Sequence, residues 1–460
     1  MIAKAHPSAY RCGDCGHNSS KWFGRCPRCG SWNTESESAA PVSQISSLGP
    51  AAQPPGRIET GIAELDRVLG GGFVAGEVVL VAGEPGIGKS TLVLQLLDAL
   101  GGSGRKTLLV TGEESPAQVA LRASRLGVDG ERIRATSQTA VEQIIDGCEQ
   151  EGAEVVVVDS IQTVATSGLD HAAGSLLQLR DCTAELGRYA KSSGAVVVVV
   201  GHVTKDGAIA GPKSLEHMVD AVVSLEGERT TSLRLLRAVK NRFGSCEETG
   251  VFVMGRRGLE AVMDPSAMLL ADRRAAGTGS VVFPALEGSR CVLIEMQALV
   301  APTTLPQPRR VAQGLEPRRL ALLLGVTSKH LKLRLGSHDV FASAAGGIAV
   351  REPAADLAVL LALTSAAADV PVDAGLVAVG EIGLSGEVRR VPGVERRLAE
   401  ASRLGFRSAL VPRGCADVAS GLETVVVDDV AAAVAHMTAR AHSGERRSPV
   451  LEEVTSRAAG

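Results

Sequence analysis

The chain has 460 residues, enough for two or three domains at about 150 residues each, so a single small fold is excluded. Hydrophobic residues make up 45% and charged residues 22% of the chain, which is the composition of a globular protein and argues against wholesale disorder. Aromatic residues are only 2% and the net charge is −3, which excludes nucleic-acid binding by extensive base stacking and a global attraction to DNA or membranes.

The apolar runs along the chain are short. The longest, such as residues 195–200, have the length of a strand, and none approaches the roughly 20 residues of a membrane-spanning helix. The N-terminal stretch MIAKAHPSAYRCGDC reaches cysteines and polar residues without the apolar region of a secretory signal. We therefore expect a cytoplasmic protein with no membrane partner.

Four of the nine cysteines form two CxxC pairs near the N-terminus, namely Cys12, Cys15, Cys26 and Cys29. Two such turns can place four thiolates around Zn²⁺, and the odd total of cysteines argues against a disulfide framework. A redox dithiol is the alternative. We predict a C4 zinc finger over residues 10–32 with a structural Zn²⁺, followed by a small, polar, proline-bearing linker over residues 33–57.

Short Val and Leu runs alternate with segments of helical period from residue 58 to about residue 265. This alternation is typical of βα units around a mostly parallel sheet, so we predict an α/β domain over residues 58–270. The predicted strands are 78–82, 107–111, 155–159, 195–200, 221–225 and 233–239.

Residues 83–90, GEPGIGKS, match the phosphate-loop pattern GxxxxGK[ST] and lie between a predicted strand and a predicted helix. Glycines let successive N–H groups curl around phosphates, while Lys89 supplies a positive charge and Ser90 can ligate Mg²⁺. The residues that we predict to bind ATP and Mg²⁺ are Gly83, Glu84, Pro85, Gly86, Ile87, Gly88, Lys89, Ser90 and Thr91.

Carboxylates follow two other predicted strands. Asp159 ends the run VVVVD, where a second carboxylate would hold Mg²⁺ through water. Glu113 and Glu114 follow the strand that ends at Thr111, at the edge where open α/β sheets bind their ligands. We predict that one of the two glutamates polarises the attacking water; a helix-capping cluster before Pro116 is the alternative.

The order of motifs along the entire chain resembles the bacterial RadA (Sms) family of DNA repair proteins, which are RecA-like ATPases. The motifs are CxxC-x10-CxxC, GEPGIGKST, GEES, VVVVDS, GHVTKDG and KNRFG, of which KNRFG at residues 240–244 is the most discriminating. The resemblance implies a ring-shaped homohexamer in which Lys240 and Arg242 support ATP turnover in trans. On its own, KNRFG would be a charged, solvated turn.

The resemblance also implies partners: single-stranded DNA, branched recombination intermediates and the RecA recombinase. GHVTKDG, residues 201–207, follows a predicted strand, so His202 or Thr204 can sense the γ-phosphate there; a strand-end turn is the alternative. The stretch after it resembles the DNA-contacting region of RecA-like proteins. Lys205 and Lys213 would supply phosphate contacts independent of sequence.

The C-terminal region, residues 279–437, resembles the α+β peptidase domain of Lon, with predicted strands at 281–286 and 291–301. Ala354 stands at the position of the serine nucleophile and Glu395 at that of the lysine base, so neither role can be filled. We expect a scaffold, with Ser343 or Ser385 as the nearby hydroxyls and no lysine to activate them. Residues 438–460 form a charged tail.

Basic stretches at 308–310, 317–319 and 329–334 either line a duplex-binding face or are solvated helix surface. Taken together, the sequence predicts a DNA-dependent ATPase of recombinational repair that drives translocation or branch migration and is not a peptidase. The alternatives are an ATP-dependent Lon-like protease and a RecA-superfamily signalling ATPase without DNA.

Overall fold

The computed structural model describes residues 10–12, 14–15, 18–19, 24–32, 34–36, 56–201, 213–227, 232–274, 277–415 and 421–441. Its contacts divide the chain into two compact units, Met1–Pro55 and Gly56–Gly460.

The first unit is a small antiparallel sheet of three strands. Its strands are β1 (Tyr10–Cys12), β2 (Asn18–Ser19) and β3 (Thr34–Ser36), in the order β2-β1-β3. Cys12 ends β1 opposite Thr34 of β3. A sheet this short cannot bury a core of its own, so a metal is the expected source of its stability.

The second unit begins with a nine-stranded sheet, a separate pair of short antiparallel strands formed by the first two strands named below, and their helices. The strands up to residue 261 are β4 (Arg57–Ile58), β5 (Phe73–Val74), β6 (Val78–Gly83), β7 (Thr107–Thr111), β8 (Arg134–Thr136), β9 (Val155–Asp159), β10 (Val196–Val200), β11 (Ala221–Glu226), β12 (Leu233–Asn241), β13 (Thr249–Gly255) and β14 (Gly258–Ala261). The helices up to residue 270 are α1 (Ala63–Leu69), α2 (Lys89–Gly102), α3 (Pro116–Leu126), α4 (Val141–Glu151), α5 (Leu176–Ser193), α6 (Lys213–Glu216) and α7 (Pro265–Leu270).

The nine strands follow the order β14-β13-β12-β11-β6-β10-β9-β7-β8, and the six from β11 to β8 run parallel. The central strands are continuous Val and Leu runs because helices cover both of their faces. From β11 onward the strands turn antiparallel, so β12 returns from the carboxyl edge of the parallel strands to their amino edge. All of the strands predicted from the sequence are present, with ends that differ by two residues at most.

A second, mixed sheet of seven strands occupies the C-terminal part of this unit. Two further short strands, at residues 381–382 and 388–389, form a separate antiparallel pair. The remaining strands are β15 (Ser280–Glu287), β16 (Arg290–Pro302), β17 (Arg310–Gln313), β18 (His338–Ala344), β19 (Leu376–Ala378), β20 (Glu381–Ile382), β21 (Val388–Arg389), β22 (Ser408–Pro412) and β23 (Glu423–Val427). The remaining helices are α8 (Pro317–His330), α9 (Asp356–Ala368), α10 (Val394–Arg403) and α11 (Val430–Ala441). The order of the sheet is β17-β18-β16-β15-β19-β22-β23, and α9, buried on nearly all sides, packs across it.

The two sheets share a core. Leu233 and Val251 of the first sheet belong to the same buried cluster as Phe283 of the second. Beside them the guanidinium of Arg290, 11% exposed, donates to the fully buried carboxylate of Glu64 at 2.5 Å. The predicted division near residues 270–279 falls between α7 and β15 and stays a prediction. No helix in the described parts of the chain is both long and apolar enough to cross a membrane.

Candidate nucleotide-binding site and metal centre

The phosphate loop joins β6 to α2. Gly83, Gly86 and Gly88 have φ angles of 155°, 79° and 123°, a range that side chains other than glycine rarely adopt. A Cβ on Gly88 would lie 2.7 Å from Cε of Met254, and one on Gly83 would lie 2.7 Å from the carbonyl oxygen of Leu225. The backbone conformation therefore favours glycine at all three positions, and the close approach of the Leu225 backbone adds a steric requirement at Gly83.

The ammonium of Lys89 lies under this loop. Only 4% of the residue is exposed, and Nζ donates to the carbonyl oxygens of Gly83 at 2.8 Å and Glu84 at 3.0 Å. Burial lowers the pKa of Lys89, and the negative charges of Asp159 and Glu113 oppose that shift. The first turn of α2 contains no acidic residue and its N-cap, Gly88, has no capping side chain, so the helix N-terminus favours an anion.

Asp159 ends β9 and lies opposite Thr111, the last residue of β7, in the parallel pairing of these strands. Together with Ser90 and both glutamates of the GEES segment, these residues line a cleft of about 90 Å³. The peptide bond between Asp159 and Ser160 is cis. Three carboxylates, a hydroxyl and a lysine thus lie close together at the carboxyl edge of the sheet, the edge at which we expected them from their positions after the predicted strands.

The two glutamates have different partners. Glu113 accepts a 2.5 Å hydrogen bond from the hydroxyl of Ser160, whereas Glu114 is paired with the guanidinium of Arg122 on α3. The sequence-based interpretation left the two glutamates equivalent and missed both partners. Ser160 could have been found, because it directly follows Asp159; Arg122 carries no signal in the sequence.

KNRFG lies at the other edge of the sheet. Its first two residues, Lys240 and Asn241, end β12, and Asn241 pairs with Ala221 at the amino end of β11. Arg242 binds Asp220 at 2.9 Å, and the second carboxylate oxygen of Asp220 accepts the N–H of Val78, the first residue of β6. Five residue steps along β6 then separate this point from Gly83, about 16 Å in an extended strand.

Both cations of KNRFG have contacts within their own chain. Nζ of Lys240 donates to the carbonyl oxygens of Glu216 at 2.6 Å and Val219 at 2.7 Å, and burial lowers its pKa. The side chain of Arg242 is 50% exposed beside Asp220. Lys240 thus holds the end of the short helix α6, and the guanidinium of Arg242 remains accessible.

The residues predicted to touch DNA or sense the γ-phosphate are mostly beyond the described ranges. His202, Thr204 and Lys205 lie outside the described residues. Lys213 begins α6, and its side chain is likewise outside the description.

The four N-terminal cysteines converge. Their sulfur atoms all lie within 4.8 Å of one another, with Cys12 and Cys29 at 3.6 Å and Cys15 and Cys26 at 3.5 Å. A tetrahedron with metal–sulfur bonds of about 2.3 Å has edges of about 3.8 Å, while a disulfide would need about 2.05 Å. The backbone N–H of Arg28 donates to Sγ of Cys26 at 3.4 Å, which further favours a thiolate. The donor set and its spacing fit Zn²⁺.

The peptidase-like segments of the C-terminal region are joined by an ion pair. Ala354 is 3% exposed at the nucleophile position, and Glu395 lies in the first turn of α10. Between the two segments, the fully buried guanidinium of Arg397 donates to both carboxylate oxygens of Glu352, at 3.0 and 2.5 Å. The sequence-based interpretation missed this pair, although both residues lie inside the segments that it quoted.

The alternative hydroxyls lie on different elements. Ser343 is on β18 and lines a cleft of about 490 Å³ with no lysine among its described lining residues. Ser385 lies in the turn between β20 and β21, where its N–H donates to Glu387. The described lining of the Ser343 cleft therefore offers no amine of the kind that a serine–lysine peptidase uses to activate its hydroxyl.

Three family models of known proteins match three separate segments of the chain. A family model described as KaiC, of the ATPase type, matches residues 58–152, the rubredoxin metal binding domain matches 10–36, and subunit ChlI of Mg-chelatase matches 344–414. The chain is 47% identical over 437 residues to the DNA repair protein RadA of Pseudomonas aeruginosa, covering 91% of this chain and 96% of the relative.

Two further relatives carry the same name. The DNA repair protein RadA of Bacillus subtilis is 43% identical over 449 residues, and that of Aquifex aeolicus is 44% identical over 437 residues. Each match covers 93% of this chain and 98% of the relative. The chain therefore belongs to the RadA family of DNA repair proteins and joins a RecA-like ATPase, with ATP and Mg²⁺ as its cofactors, to a zinc-binding ribbon.

Proposed function

We propose that this protein is a DNA-dependent ATPase that processes branched recombination intermediates by translocation or branch migration. The family name printed for its relatives and the ATPase match support the DNA-repair and ATP-hydrolysis parts of this proposal. In it, residues 83–91 bind the phosphates of ATP, and the four cysteines hold a structural Zn²⁺.

Each residue of the nucleotide site has a role. Lys89 neutralises charge on the β and γ oxygens, and the hydroxyl of Ser90 and the carboxylate of Asp159 offer oxygen ligands to Mg²⁺. Bound Mg²⁺ supplies charge neutralisation as the γ-phosphoryl group is transferred. Of the two glutamates, Glu113 is the one to which we assign the polarising of water, because Ser160 holds its carboxylate and its charge acts on Lys89, whereas the carboxylate of Glu114 is paired with Arg122.

One observation carries the assembly proposal, namely that Lys240 and Arg242 lie at the opposite edge of the sheet from the phosphate loop of their own chain. A separation of about 16 Å along β6 exceeds the reach of an arginine side chain. If these cations support ATP turnover, they act on ATP held by a neighbouring copy. A head-to-tail contact of this kind forms a ring when the rotation between copies closes, and we propose such a ring, a homohexamer.

The contact of Lys240 with α6 connects this arrangement to DNA. Nζ of Lys240 binds the carbonyl oxygens of Glu216 and Val219, which lie within the stretch, residues 206–220, that we expect to contact single-stranded DNA. ATP turnover at the neighbouring copy can therefore be transmitted to that stretch. In this proposal Lys205 and Lys213 contact the DNA phosphates, and the RecA recombinase is the functional partner.

Subunit mixing tests the trans arrangement. Lys89→Ala removes the phosphate loop's charge but leaves KNRFG intact, and Arg242→Ala does the reverse, so each variant alone should hydrolyse almost no ATP. In 1:1 mixed rings about one quarter of the interfaces pair an intact loop with an intact arginine, so about a quarter of wild-type turnover should return. The matched control mixes Lys89→Ala with a Lys89→Ala, Arg242→Ala double variant, which should restore nothing. Absence of recovery in the first mixture would overturn the trans assignment.

DNA dependence is tested separately. ATP turnover should rise with single-stranded DNA, and the stimulation should fade as salt increases, because phosphate contacts release counterions. Turnover indifferent to DNA, with transfer of the γ-phosphate to the protein itself, would favour the signalling ATPase. ATP-stimulated cleavage of casein would favour the protease.

A further inference from the structure

A buried arginine lies behind the phosphate loop. Arg234 is the second residue of β12 and is 5% exposed, on the strand face that also carries Leu236 and Ala238. Its Nε donates to the carbonyl oxygen of Ile87 at 3.1 Å, and Nη1 donates to the carbonyl oxygen of Leu233 at 2.7 Å. Burying a guanidinium is costly, so a contact with residue 87 of the phosphate loop needs an explanation.

The contact determines the direction of one loop amide. The Ile87 carbonyl and the Gly88 N–H belong to one planar trans peptide unit, so they point in opposite directions. Because Arg234 holds the Ile87 oxygen toward β12, the Gly88 N–H must point away from β12. N–H groups that point into a phosphate loop are the ones that bind phosphate oxygens, and this orientation of the Gly88 N–H fits that role.

The surrounding packing leaves room for this side chain. A Cβ on Gly227, at the end of β11, would lie 3.0 Å from Cδ and 3.4 Å from Nη1 of Arg234. Ile87 is itself 2% exposed, so the loop has its back against the sheet while Glu84, Pro85 and Gly86 are exposed. The arginine therefore occupies a space that the absence of a side chain at residue 227 provides.

The positive charge of Arg234 also favours the binding of phosphate by the loop. Burial lowers the pKa of Arg234, yet a guanidinium stays protonated in proteins. A fixed positive charge behind a loop of N–H groups raises the affinity of that loop for phosphate oxygens. Its contact is with the loop of its own chain, so this role is separate from the one proposed for Lys240 and Arg242 at a neighbouring copy.

We propose that Arg234 is a positioning residue of the ATP site, which aims the N–H of Gly88 at the nucleotide phosphates by holding the Ile87 carbonyl. The inference rests on the proposed assignment of residues 83–91 as that site. Arg234 would act on the nucleotide through the backbone of the phosphate loop, by its hydrogen bond to the Ile87 carbonyl oxygen.

The test compares Arg234→Met, Arg234→Lys and the control Arg237→Met. Arg237 lies on the same strand with its side chain on the other face, where it pairs with Glu226 and Glu287. Loss of a charged hydrogen bond to the loop should weaken ATP and ADP affinity in Arg234→Met by about 10- to 100-fold and raise the ATP KM more than it lowers kcat. Inorganic tripolyphosphate, used as a competing probe, should lose affinity by a similar factor, because the loop binds phosphates and not the base.

Arg234→Lys keeps the charge but not the fork of donors, so it should recover part of the lost affinity. Arg237→Met should bind ATP and tripolyphosphate like the wild type. If Arg234→Met does not fold, Arg234→Lys with wild-type affinity for both probes would overturn the inference; so would equal losses in Arg234→Met and Arg237→Met. Wild-type turnover in Lys89→Ala would instead overturn the ATP-site assignment itself, so the two failures are distinguishable.

Discussion

Exchange of each carboxylate of the GEES pair for an amide should separate their roles. Glu113→Gln keeps the size of the side chain and an oxygen that can accept from Ser160, so the loop geometry survives. What it loses is the carboxylate that can act as a base, whose charge also acts on Lys89. A positioned general base contributes about 100- to 10,000-fold, so kcat should fall by that factor while ATP affinity stays near the wild-type value.

The neighbouring variant provides the matched control. Glu114→Gln weakens an ion pair whose two side chains are 34% and 24% exposed, a contact worth about 0.2–1 kcal/mol. It should therefore change kcat by no more than about fivefold. Steady-state hydrolysis of MgATP, with and without single-stranded DNA, and direct titration of a non-hydrolysable ATP analogue would measure both effects. Equal losses of kcat in the two variants, or a larger loss in Glu114→Gln, would refute the assignment.

Three further changes have defined outcomes. Arg397→Met should lower the free energy of unfolding, measured by urea titration, by about 3 kcal/mol, because it leaves Glu352 without its charged partner. The side chain of Arg396 is exposed, so the control Arg396→Met should change the free energy of unfolding little. Burial raises the pKa of Glu77 to about 7, so the stability that this carboxyl contributes is complete below pH 4.5 and is lost as the pH rises through 7. In Glu77→Gln, the urea midpoint of unfolding should therefore change less between pH 5 and 8 than it does in the wild type. A midpoint that depends on pH as steeply as in the wild type would contradict this. Cys26→Ser should reduce the amount of bound zinc and weaken DNA binding, while ATP turnover without DNA persists, because residues 56–460 form a separate compact unit. Loss of that DNA-independent turnover would contradict this prediction.

Local patterns carried much of the architecture. Continuous Val runs predicted the buried parallel strands, because only a strand covered on both faces is apolar at every position. The phosphate loop was equally visible, since its conformation depends on glycines at fixed spacing and not on distant residues. The strand Arg134–Thr136 was not predicted, because its residues are mostly exposed and give no apolar run.

The candidate site was predictable in its components and not in its pairings. Glu113 and Glu114 are neighbours in the chain, and only the packing of α3 brings Arg122 to one of them while the end of β9 brings Ser160 to the other. The same limit applies to Arg397 and Glu352, whose ion pair spans 45 residues of sequence.

The sequence by itself determined the class of fold, the phosphate loop, the four-cysteine ribbon and the family, because each depends on residue types at short, regular spacings. The tertiary structure alone decided that KNRFG lies at the far edge of the sheet from its own phosphate loop, and that Arg234 reaches Ile87 across 147 residues of sequence. The reason is physical: which side chains meet depends on the order and direction in which strands pair, and that order is set by the packing of the whole core.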